Sequence, residues 1–238
     1  MSATQKFVVW DWNGTLLDDT GVVLAVVNIV LGKLNKAPIT LRTLQECQAC
    51  FHEHERPIEQ FYRNVGLTDD EIPFIREHER NLFHEHYETL ADKASLRDGA
   101  VNILNLLRAH GISNIIVSNH IADQIDRLLI RHGIRDYFGD IIAYADRHIH
   151  ARDATKGDKL RHYIDEKGLN AANAIIIGDT KEEIDIARAS GMGASGMGSI
   201  AITGGMYSQE LLAGMHPDDV IFHLDELADI FRKRGFLS

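Results

Sequence analysis

One stretch near the start of the chain decides how the sequence is interpreted: Phe7-Val8-Val9-Trp10-Asp11-Trp12-Asn13-Gly14-Thr15-Leu16-Leu17-Asp18-Asp19. A short apolar strand ends in the carboxylate of Asp11, and the chain then turns at Gly14. In open α/β sheets, ligands bind at the carboxyl ends of the strands. There the backbone N–H groups of Gly14 and Thr15 can approach an anion. The ordinary alternative is that Asp11 and Asn13 only form turn hydrogen bonds beyond a buried strand.

From Ser95 onward, strands and helices alternate along the chain. Short apolar strands are predicted at residues 114–118, 141–144, 174–178, 200–203 and 220–222. Helices are predicted at residues 98–110, 121–132, 157–167, 181–190 and 224–232, and a glycine follows each of the first four. Apolar strands between helices indicate a parallel sheet that is covered on both faces. The expected fold is therefore α/β, with a Rossmann-like parallel sheet as its core.

Residues 20–94 show helical periodicity and no convincing strand. Apolar residues recur there at helical spacing, for example in Val22, Val23, Val26, Val27 and Val30. At 238 residues the chain is long enough for a buried core and a second, smaller domain. We expect a Rossmann-like catalytic core formed by residues 1–19 and 95–238, with residues 20–94 inserted as an α-helical cap.

Composition narrows the range of partners. The chain has 25 basic and 35 acidic side chains and a net charge of −10, which argues against nucleic acid or an anionic membrane as the main partner. No apolar run approaches the length of a membrane span. The apolar stretch 22–31 follows acidic rather than basic residues, unlike a signal peptide. We therefore expect a cytoplasmic protein, and the oligomeric state is left open.

Cys47 and Cys50 form a single C-x-x-C pair, which has three interpretations. A redox motif would lie beside a βαβ unit, and a structural zinc site would need two further ligands. Here the pair falls in a helical stretch well after the first strand. We therefore interpret both residues as structural cysteines.

Polar side chains follow several of the predicted strands. Ser118-Asn119 follows one strand, Lys156 lies in the loop after another, and Gly178-Asp179-Thr180 ends a third, with Glu183 one helical turn later. Parallel strands would bring these residues to one sheet edge with Asp11. A hydroxyl, an ammonium and two or three carboxylates can hold a phosphate together with Mg²⁺, which prefers oxygen ligands. Taken singly, Ser118-Asn119 is typical of a helix cap, Lys156 of a solvated lysine, and Gly178-Asp179 of a turn.

The order and spacing of these residues resemble the four motifs of the haloacid dehalogenase-like hydrolases: a nucleophile strand, a Ser/Thr strand, a lysine, and Gly-Asp with a second acid four residues later. Gly178-Asp179-Thr180-Lys181-Glu182-Glu183 and the helix after it are similar to the fourth motif. Residues 202–208 and 217–221 look like the C-terminal part of phosphoglycolate phosphatase-like members. The resemblance covers residues 6–19 and 97–232, with a looser match in the helical cap.

The resemblance implies a magnesium-dependent phosphatase that acts on a small phosphorylated metabolite, a phosphoglycolate-like monoester, through an aspartyl-phosphate intermediate. It assigns the nucleophile to Asp11, and it assigns metal binding to Asp11, the backbone carbonyl of Asn13, and Asp179. Lys156 would screen the nucleophile from its dianionic substrate. Glu183 would orient Lys156 or a metal-bound water.

Substrate contacts follow from the same resemblance. The phosphoryl oxygens would be held by the hydroxyl of Ser118 and by backbone N–H groups near Gly14, Thr15 and Asn119. The helical cap would close over the site and select the leaving group. Arg56, in a His- and Glu-rich segment of the cap, is a candidate ligand for a substrate carboxylate, because a guanidinium binds a carboxylate in bidentate fashion. The alternative is that this segment is a solvated face.

Asn13 departs from the family pattern, which is commonly Asp-x-Asp-Gly-Thr with the second aspartate as general acid/base. An amide cannot transfer a proton as a carboxylate does, so we expect slow turnover and a faster Asn13→Asp variant on alkyl esters. Two alternatives stay open: a catalytically impaired relative that binds phosphate and metal, and a carbon–phosphorus hydrolase. The second would use a cap lysine, and no lysine occurs between Lys36 and Lys93. Dehalogenases of the family lack the metal-binding acid that Asp179 provides.

Overall fold

The computed structural model describes residues 5–48, 57–75, 80–145, 155–191 and 196–237. The strands in these ranges are β1 Phe7–Trp10, β2 Leu17–Asp18, β3 Ser95–Leu96, β4 Ser113–Ile121, β5 Phe138–Tyr144, β6 Ala174–Gly178, β7 Gly198–Ile202 and β8 Asp219–Ile221. Six of them form a parallel sheet in the order β5-β4-β1-β6-β7-β8, and β2 pairs with β3 in a separate antiparallel ribbon. The predicted α/β fold with a Rossmann-like parallel sheet is confirmed.

Helices connect these strands. The helices in the described ranges are α1 Thr20–Lys33, α2 Leu41–Gln48, α3 Pro57–Asn64, α4 Ile72–Phe74, α5 Arg80–Leu90, α6 Ala100–Ala109, α7 Ala122–Arg131, α8 Lys156–Glu166, α9 Lys181–Ala189, α10 Gln209–Gly214 and α11 Leu227–Lys233. Sequence periodicity did not predict α10, which is short and begins after the N-cap residue Ser208. None of these helices is both long enough and apolar enough to span a membrane. The cytoplasmic location stays a prediction.

Alternation along β1 divides the apolar core into two parts. Val8 and Trp10 belong to a cluster that includes residues of α6, α7 and α11. Phe7 and Val9 belong to a second cluster, with residues of α8 and α9. Successive side chains of a strand point to opposite faces of its sheet, so the two clusters lie on opposite faces. All four side chains are fully buried, as is typical of a central parallel strand covered by helices.

The strand β4 is longer than the sequence indicates. It continues to Ile121, and its register with β5 shifts between Val117 and Ile121. Ser118 and Asn119 lie within this irregular stretch. Because α7 starts only at Ala122, with Ile121 at its N-cap, Ser118 is not the cap of that helix. The polar pair therefore belongs to the sheet edge.

The ribbon of β2 and β3 joins the two ends of the segment that carries α1 to α5. Leu17 pairs with Leu96, so the chain leaves the sheet region and returns to it at one place. Gln45 of α2 reaches back to the sheet side, where its Nε2 donates to the Gly205 carbonyl at 2.9 Å. The division into a core and a helical cap at residues 19 and 95 stays a prediction.

Some of the sequence predictions lie outside the described residues. They are the assignment of Arg56 to a substrate carboxylate and the interpretation of the neighbouring histidines as a solvated face. Cys50 lies outside as well. Cys47 is half-buried near the end of α2. The interpretation of the two cysteines as structural therefore stays a prediction.

Candidate active site

Three neighbouring strands have polar residues of the candidate site at or near their carboxyl ends. Because β4, β1 and β6 are adjacent and parallel, their carboxyl ends bring Ser118, Asp11 and Asp179 to one edge of the sheet. The Asp11 N–H extends the pairing of β1 with β6 by donating to the Ile177 carbonyl at 2.9 Å. The exposed fraction is 6% for Asp11, 2% for Ser118 and 1% for Asp179. Their charges and dipoles therefore interact in a poorly hydrated environment.

Lys156 links Asp11 to a second carboxylate. Its Nζ donates to Oδ1 of Asp11 at 2.6 Å and also to Oε1 of Glu183. The position of Lys156 follows from the start of α8, where the Thr155 hydroxyl caps the helix by accepting the Asp158 N–H. Burial alone would lower the pKa of Lys156, but the charges of Asp11 and Glu183 outweigh burial and raise it. The ammonium therefore stays protonated.

The hydroxyl of Thr15 lies between two carboxylates. Its Oγ1 is 3.2 Å from Oδ2 of Asp11 and 3.4 Å from Oδ1 of Asp179. The other oxygen of Asp179 accepts the Met206 N–H at 2.6 Å. Gly14 has a φ of 70°, and a Cβ placed on it would be 2.3 Å from Oδ2 of Asp179. The turn after Asp11 therefore needs glycine both for its left-handed backbone and for space.

Negative charge exceeds positive charge at this buried edge. Asp11, Asp19, Asp179 and Glu183 are buried, and Lys156 is the buried lysine that contacts two of them. Burial raises the pKa of Asp11, and the charge of Lys156 opposes this shift. Burial also raises the pKa of Asp179, to about 7. A bound cation would relieve the excess negative charge.

The oxygen donors fit a small hard cation that takes few protein ligands. Within the described ranges, no cluster of three or more His, Cys, Asp or Glu side chains is arranged to hold a metal ion. Asp11 and Asp179 nevertheless both contact the hydroxyl of Thr15. Mg²⁺ suits such a site, because it binds one or two carboxylates and takes waters or phosphate oxygens as its other ligands. The groups that could hold it are Asp11, Asp179 and the backbone carbonyl of Asn13.

Glu183 has a second set of contacts, in the first turn of α9. Its Oε2 accepts the N–H and the hydroxyl of Thr180, at 3.2 and 2.7 Å, which completes a capping box. Gly178 leaves room for this side chain, since a Cβ there would be 2.2 Å from Cγ of Glu183. The spacing from Gly178 to Glu183 therefore serves both the start of α9 and the contact with Lys156.

Ser118 and Asn119 differ in what their side chains contact. Oγ of Ser118 accepts the N–H of His120 at 3.1 Å, which leaves its hydroxyl proton for another acceptor. Nδ2 of Asn119 donates to Oε2 of Glu182 at 2.7 Å, and Asn119 is exposed. Ser118 therefore belongs to the buried edge, whereas the side chain of Asn119 lies at its rim.

Sequence reasoning missed the partners of Asn13. Its Nδ2 donates to Oδ2 of Asp19 and to the hydroxyl of Tyr87, both at 2.7 Å. Tyr87, on α5, donates to the same Oδ2 at 2.5 Å, and the Gly14 N–H donates to Oδ1 at 2.8 Å. Burial raises the pKa of Asp19, and the three donors oppose the shift. The sequence carried one usable signal, the acidic pair directly after the motif.

These contacts limit which groups of the loop from Asp11 to Asp19, called the nucleophile loop below, can bind a phosphoryl oxygen. The N–H of Gly14 donates to Asp19, and the N–H of Thr15 donates to the Trp12 carbonyl at 3.4 Å. The amide of Asn13 is directed at Asp19 rather than at Asp11. Of the polar side chains predicted to touch the phosphoryl group, Ser118 keeps an unused donor in this arrangement.

Arg97 is another residue that the sequence did not single out. Its Nη1 donates to the Thr203 carbonyl at 2.8 Å. Its Nε and Nη2 are buried and have no hydrogen-bond partner within the described ranges. Burial is the largest influence on the pKa of Asp179 and raises it, while the charge of Arg97 acts in the opposite direction. Arg97 therefore balances part of the negative charge beside Asp179.

This chain is similar to known proteins over nearly its whole length. A phosphoglycolate phosphatase from Photobacterium profundum is 26% identical over 230 residues, which are 95% of this chain and 96% of that protein. A phosphoglycolate phosphatase from Aliivibrio fischeri is 22% identical over 217 residues, which are 90% of this chain and 91% of that protein. Both alignments therefore cover at least nine-tenths of this chain.

Solved structures share the fold. A haloacid dehalogenase-like family hydrolase from Streptococcus pneumoniae superposes with a TM-score of 0.75 at 20% identity, covering 96% of this chain and 99% of its own. A predicted phosphoglycolate phosphatase from Haemophilus somnus gives 0.70 at 18% identity, with coverage of 95% and 98%. At these identities the likeness shows the fold alone.

A match between the sequence and a family model establishes the family of this chain. The family model described as haloacid dehalogenase-like hydrolase matches residues 8–197, a range that includes Asp11, Ser118, Lys156 and Asp179. This match spans well over half of the chain and confirms the resemblance drawn from the four motifs. The chain belongs to the haloacid dehalogenase-like hydrolase family.

Proposed function

We propose that this protein is a magnesium-dependent phosphatase that hydrolyses a small phosphate monoester, similar to phosphoglycolate, through an aspartyl-phosphate on Asp11. One observation carries the proposal. The buried carboxylate of Asp11 lies 2.6 Å from the buried ammonium of Lys156 and shares the Thr15 hydroxyl with Asp179. Family membership supports a hydrolase, and the relatives named phosphoglycolate phosphatase support this substrate class.

Charge decides whether Asp11 can attack a phosphate. A carboxylate repels a dianionic monoester, and two unit charges about 4 Å apart interact by roughly 4 kcal/mol at an effective dielectric of 20. Lys156 offsets this repulsion because its ammonium lies against Oδ1 of Asp11. Glu183 holds the same ammonium from the other side, so Lys156 has a defined position before substrate arrives. The pair is therefore suited to a carboxylate nucleophile.

The proposed reaction consists of two displacements. An oxygen of Asp11 attacks phosphorus, the bond from phosphorus to the leaving oxygen breaks, and the alkoxide takes a proton from water. Water then attacks phosphorus, the bond from phosphorus to Asp11 breaks, and the carboxylate is restored. One proton of this water stays on the phosphate, and the other neutralises the hydroxide formed in the first displacement. A monoester and a water become an alcohol and inorganic phosphate.

The remaining groups of the site bind and orient. Asp11, Asp179 and the carbonyl of Asn13 would hold Mg²⁺, which when bound offsets the negative charge of the phosphoryl oxygens. The hydroxyl proton of Ser118 is available to donate to a phosphoryl oxygen. Arg56 stays the proposed ligand for a carboxylate on the leaving group.

A second function is favoured by Asn13. Where the family motif commonly has a carboxylate that transfers protons, this chain has an amide. A protein that binds phosphate and metal without turnover would need no group for proton transfer. This binding protein is the alternative to the phosphatase.

Release of inorganic phosphate tests the proposal. Wild-type protein is assayed on a panel of small phosphate esters and on p-nitrophenyl phosphate, with Mg²⁺, with EDTA, and after Mg²⁺ is restored. We expect turnover that EDTA removes and Mg²⁺ restores. Asp11→Asn should abolish it, whereas Asp123→Asn, at an exposed acid on α7, should not. Equal activity of Asp11→Asn and wild type would contradict the proposal, and binding of Mg²⁺ and inorganic phosphate without turnover would support the second function.

A further inference from the structure

Asp19 is a buried carboxylate for which the proposed reaction has no use. It occupies the N-cap position of α1, yet its side chain makes no capping hydrogen bond to that helix. It is fully buried, and its oxygens point back to the loop after Asp11. Oδ1 accepts the Gly14 N–H, and Oδ2 accepts Nδ2 of Asn13. A carboxylate that is enclosed in this way and does not cap its helix needs another explanation.

Tyr87 completes a closed group with Asp19 and Asn13. Its hydroxyl donates to Asp19 at 2.5 Å and accepts from Asn13 at 2.7 Å, and the side chain is 2% exposed. The three donors that surround Asp19 are the surroundings expected for an ionised carboxylate, which only accepts hydrogen bonds. The amide of Asn13 must therefore present its nitrogen, not its oxygen, to this group.

The oxygen of the Asn13 amide takes no part in the hydrogen bonds with Asp19 and Tyr87. Both protons of Nδ2 are used, one by Asp19 and one by the Tyr87 hydroxyl. Oδ1 extends from the opposite side of the planar amide and accepts no hydrogen bond within the described ranges. Asn13 is half-buried and lies two positions after Asp11. An oriented acceptor is thus available two residues along the chain from the proposed nucleophile.

We propose that Asp19 and Tyr87 are positioning residues, which orient Asn13 so that its Oδ1 binds the water that attacks the aspartyl-phosphate. Asp19 is then the second carboxylate of the nucleophile loop, moved six residues along the chain from the position of Asn13. This inference rests on the proposed phosphatase function. It concerns the second displacement only.

The physical basis is polarisation and geometry. An amide whose N–H groups donate to an anion and to a hydroxyl carries more negative charge on its oxygen and is a stronger acceptor. Oδ1 of Asn13 accepts one O–H of the water, which leaves a lone pair of the water oxygen free to face phosphorus. No proton passes to Asn13. The protons of the water go to the phosphate and to hydroxide, as in the proposed reaction.

The two displacements can be measured separately with p-nitrophenyl phosphate. The first releases nitrophenolate and leaves phosphate on Asp11, and the second removes that phosphate. Nitrophenolate is followed by stopped flow, and the phosphoenzyme is quantified after rapid acid quench. The variants are Asp19→Asn, Tyr87→Phe, and the exchange Asn13→Asp with Asp19→Asn. Asp18→Asn is the matched control, because Asp18 is the neighbouring acid and is exposed.

We expect Asp19→Asn to keep the first displacement within a few-fold of wild type and to slow the second about 100-fold, so that phosphoenzyme accumulates. The exchange restores a carboxylate–amide pair in which the Gly14 N–H keeps an acceptor and both hydrogen bonds with Tyr87 reverse their direction, and it should recover at least about tenfold of the lost rate. Tyr87→Phe should slow the second displacement about tenfold. Asp18→Asn should behave as wild type.

Several outcomes would overturn the inference. One is an Asp19→Asn protein that slows both displacements equally and is not rescued by the exchange, which is the result of a purely structural role. Another is an Asp19→Asn protein with wild-type kinetics while turnover still depends on Asp11; this leaves the phosphatase function standing. If Asp19→Asn does not fold, wild-type kinetics in Tyr87→Phe overturn the inference. Absence of Asp11-dependent turnover in wild type removes the proposed function and the inference together.

Discussion

The ammonium of Lys156 lies 2.6 Å from the carboxylate of Asp11, and the same ammonium contacts Glu183. These contacts join the end of β1 to the first residue of α8 and the first turn of α9. All three residues are buried, with exposed fractions of 6% or less. Because a buried charge without its partner is strongly unfavourable, the three groups depend on one another.

Lys156→Met should therefore remove both activity and stability. The change leaves Asp11 and Glu183 as buried carboxylates without their cation, and breaking a buried ion pair costs about 3–5 kcal/mol. For a chain of this length the expected fall in Tm is on the order of 10 °C. Scanning calorimetry and phosphate release measure the two effects. Lys233→Met, at an exposed position on α11, is the control, and a Lys156→Met protein with normal turnover would contradict the assignment.

Gly14→Ala should abolish turnover although it adds only a methyl group. A Cβ at this position would be 2.3 Å from Oδ2 of Asp179, and the φ of 70° is strained for alanine. The methyl group must displace either Asp179 or the loop that carries Asp11. Gly21→Ala is the comparison, because nothing lies within 4 Å of its added Cβ. The assay is kcat on the best ester, and equal kcat in the two variants would count against a tight loop.

Asn13→Asp by itself should not speed hydrolysis, in contrast to the expectation from sequence. The new carboxylate would face Oδ2 of Asp19, which lies 2.7 Å from Nδ2 of Asn13. Two carboxylates so close cannot both ionise readily, so one keeps its proton at neutral pH. We expect kcat at pH 7 no higher than wild type and a Tm lowered by a few degrees. A faster single variant on alkyl esters would show that Asp19 does not oppose the change.

Because of His120, the free energy of unfolding should be lower at mildly acidic pH than at neutral pH. Burial, followed by the charge of His84, lowers the pKa of His120 to about 3. The folded state therefore keeps the ring neutral, whereas the unfolded chain takes up a proton below about pH 6.5. Stability present above pH 6.5 is lost as the pH falls towards 3, by up to about 1.4 kcal/mol per pH unit.

The pH effect can be isolated by replacing this one ring. His84 and Tyr87 of α5 contact it, with ring centroids 6.0 and 5.0 Å away, so protonation would place charge in a closed interface. Urea unfolding at pH 7, 5.5 and 4.5 compares wild type with His120→Gln, and the variant should lose less stability on acidification. His162→Gln, at an exposed position on α8, should keep the wild-type slope. Identical slopes in all three proteins would refute the prediction.

The residues that share the sheet edge could be placed from the sequence, because their positions follow from strand ends. Asp11 and Asp179 each follow an apolar strand directly, and parallel neighbouring strands have their carboxyl ends together. Lys156 could be added because it lies between Ser118 and Asp179 along the chain, which is where the resemblance to the family places a lysine. Placing these residues therefore needs only local sequence patterns and the rule that neighbouring parallel strands end at the same edge of the sheet.

The surroundings of Asn13 could not be found in this way. Asp19 directly precedes the helical stretch of residues 20–94, and only the structure shows that its carboxylate turns back to the nucleophile loop. Tyr87 is 68 residues away along the chain from Asp19. Its hydroxyl reaches Asp19 only because α5 packs beside that loop, and periodicity does not determine how one helix packs against a distant segment.

The amino-acid sequence by itself determined the alternation of strands and helices, the parallel sheet, and the identity of the residues that end its central strands. Those features depend on local periodicity and on the short loops between elements. Only the tertiary structure decided which donors and acceptors meet: the ammonium of Lys156 with two carboxylates, and the amide of Asn13 with Asp19 and Tyr87. Such pairings are made by side chains far apart in the chain, and burial selects them because an unpaired polar group inside the protein costs free energy.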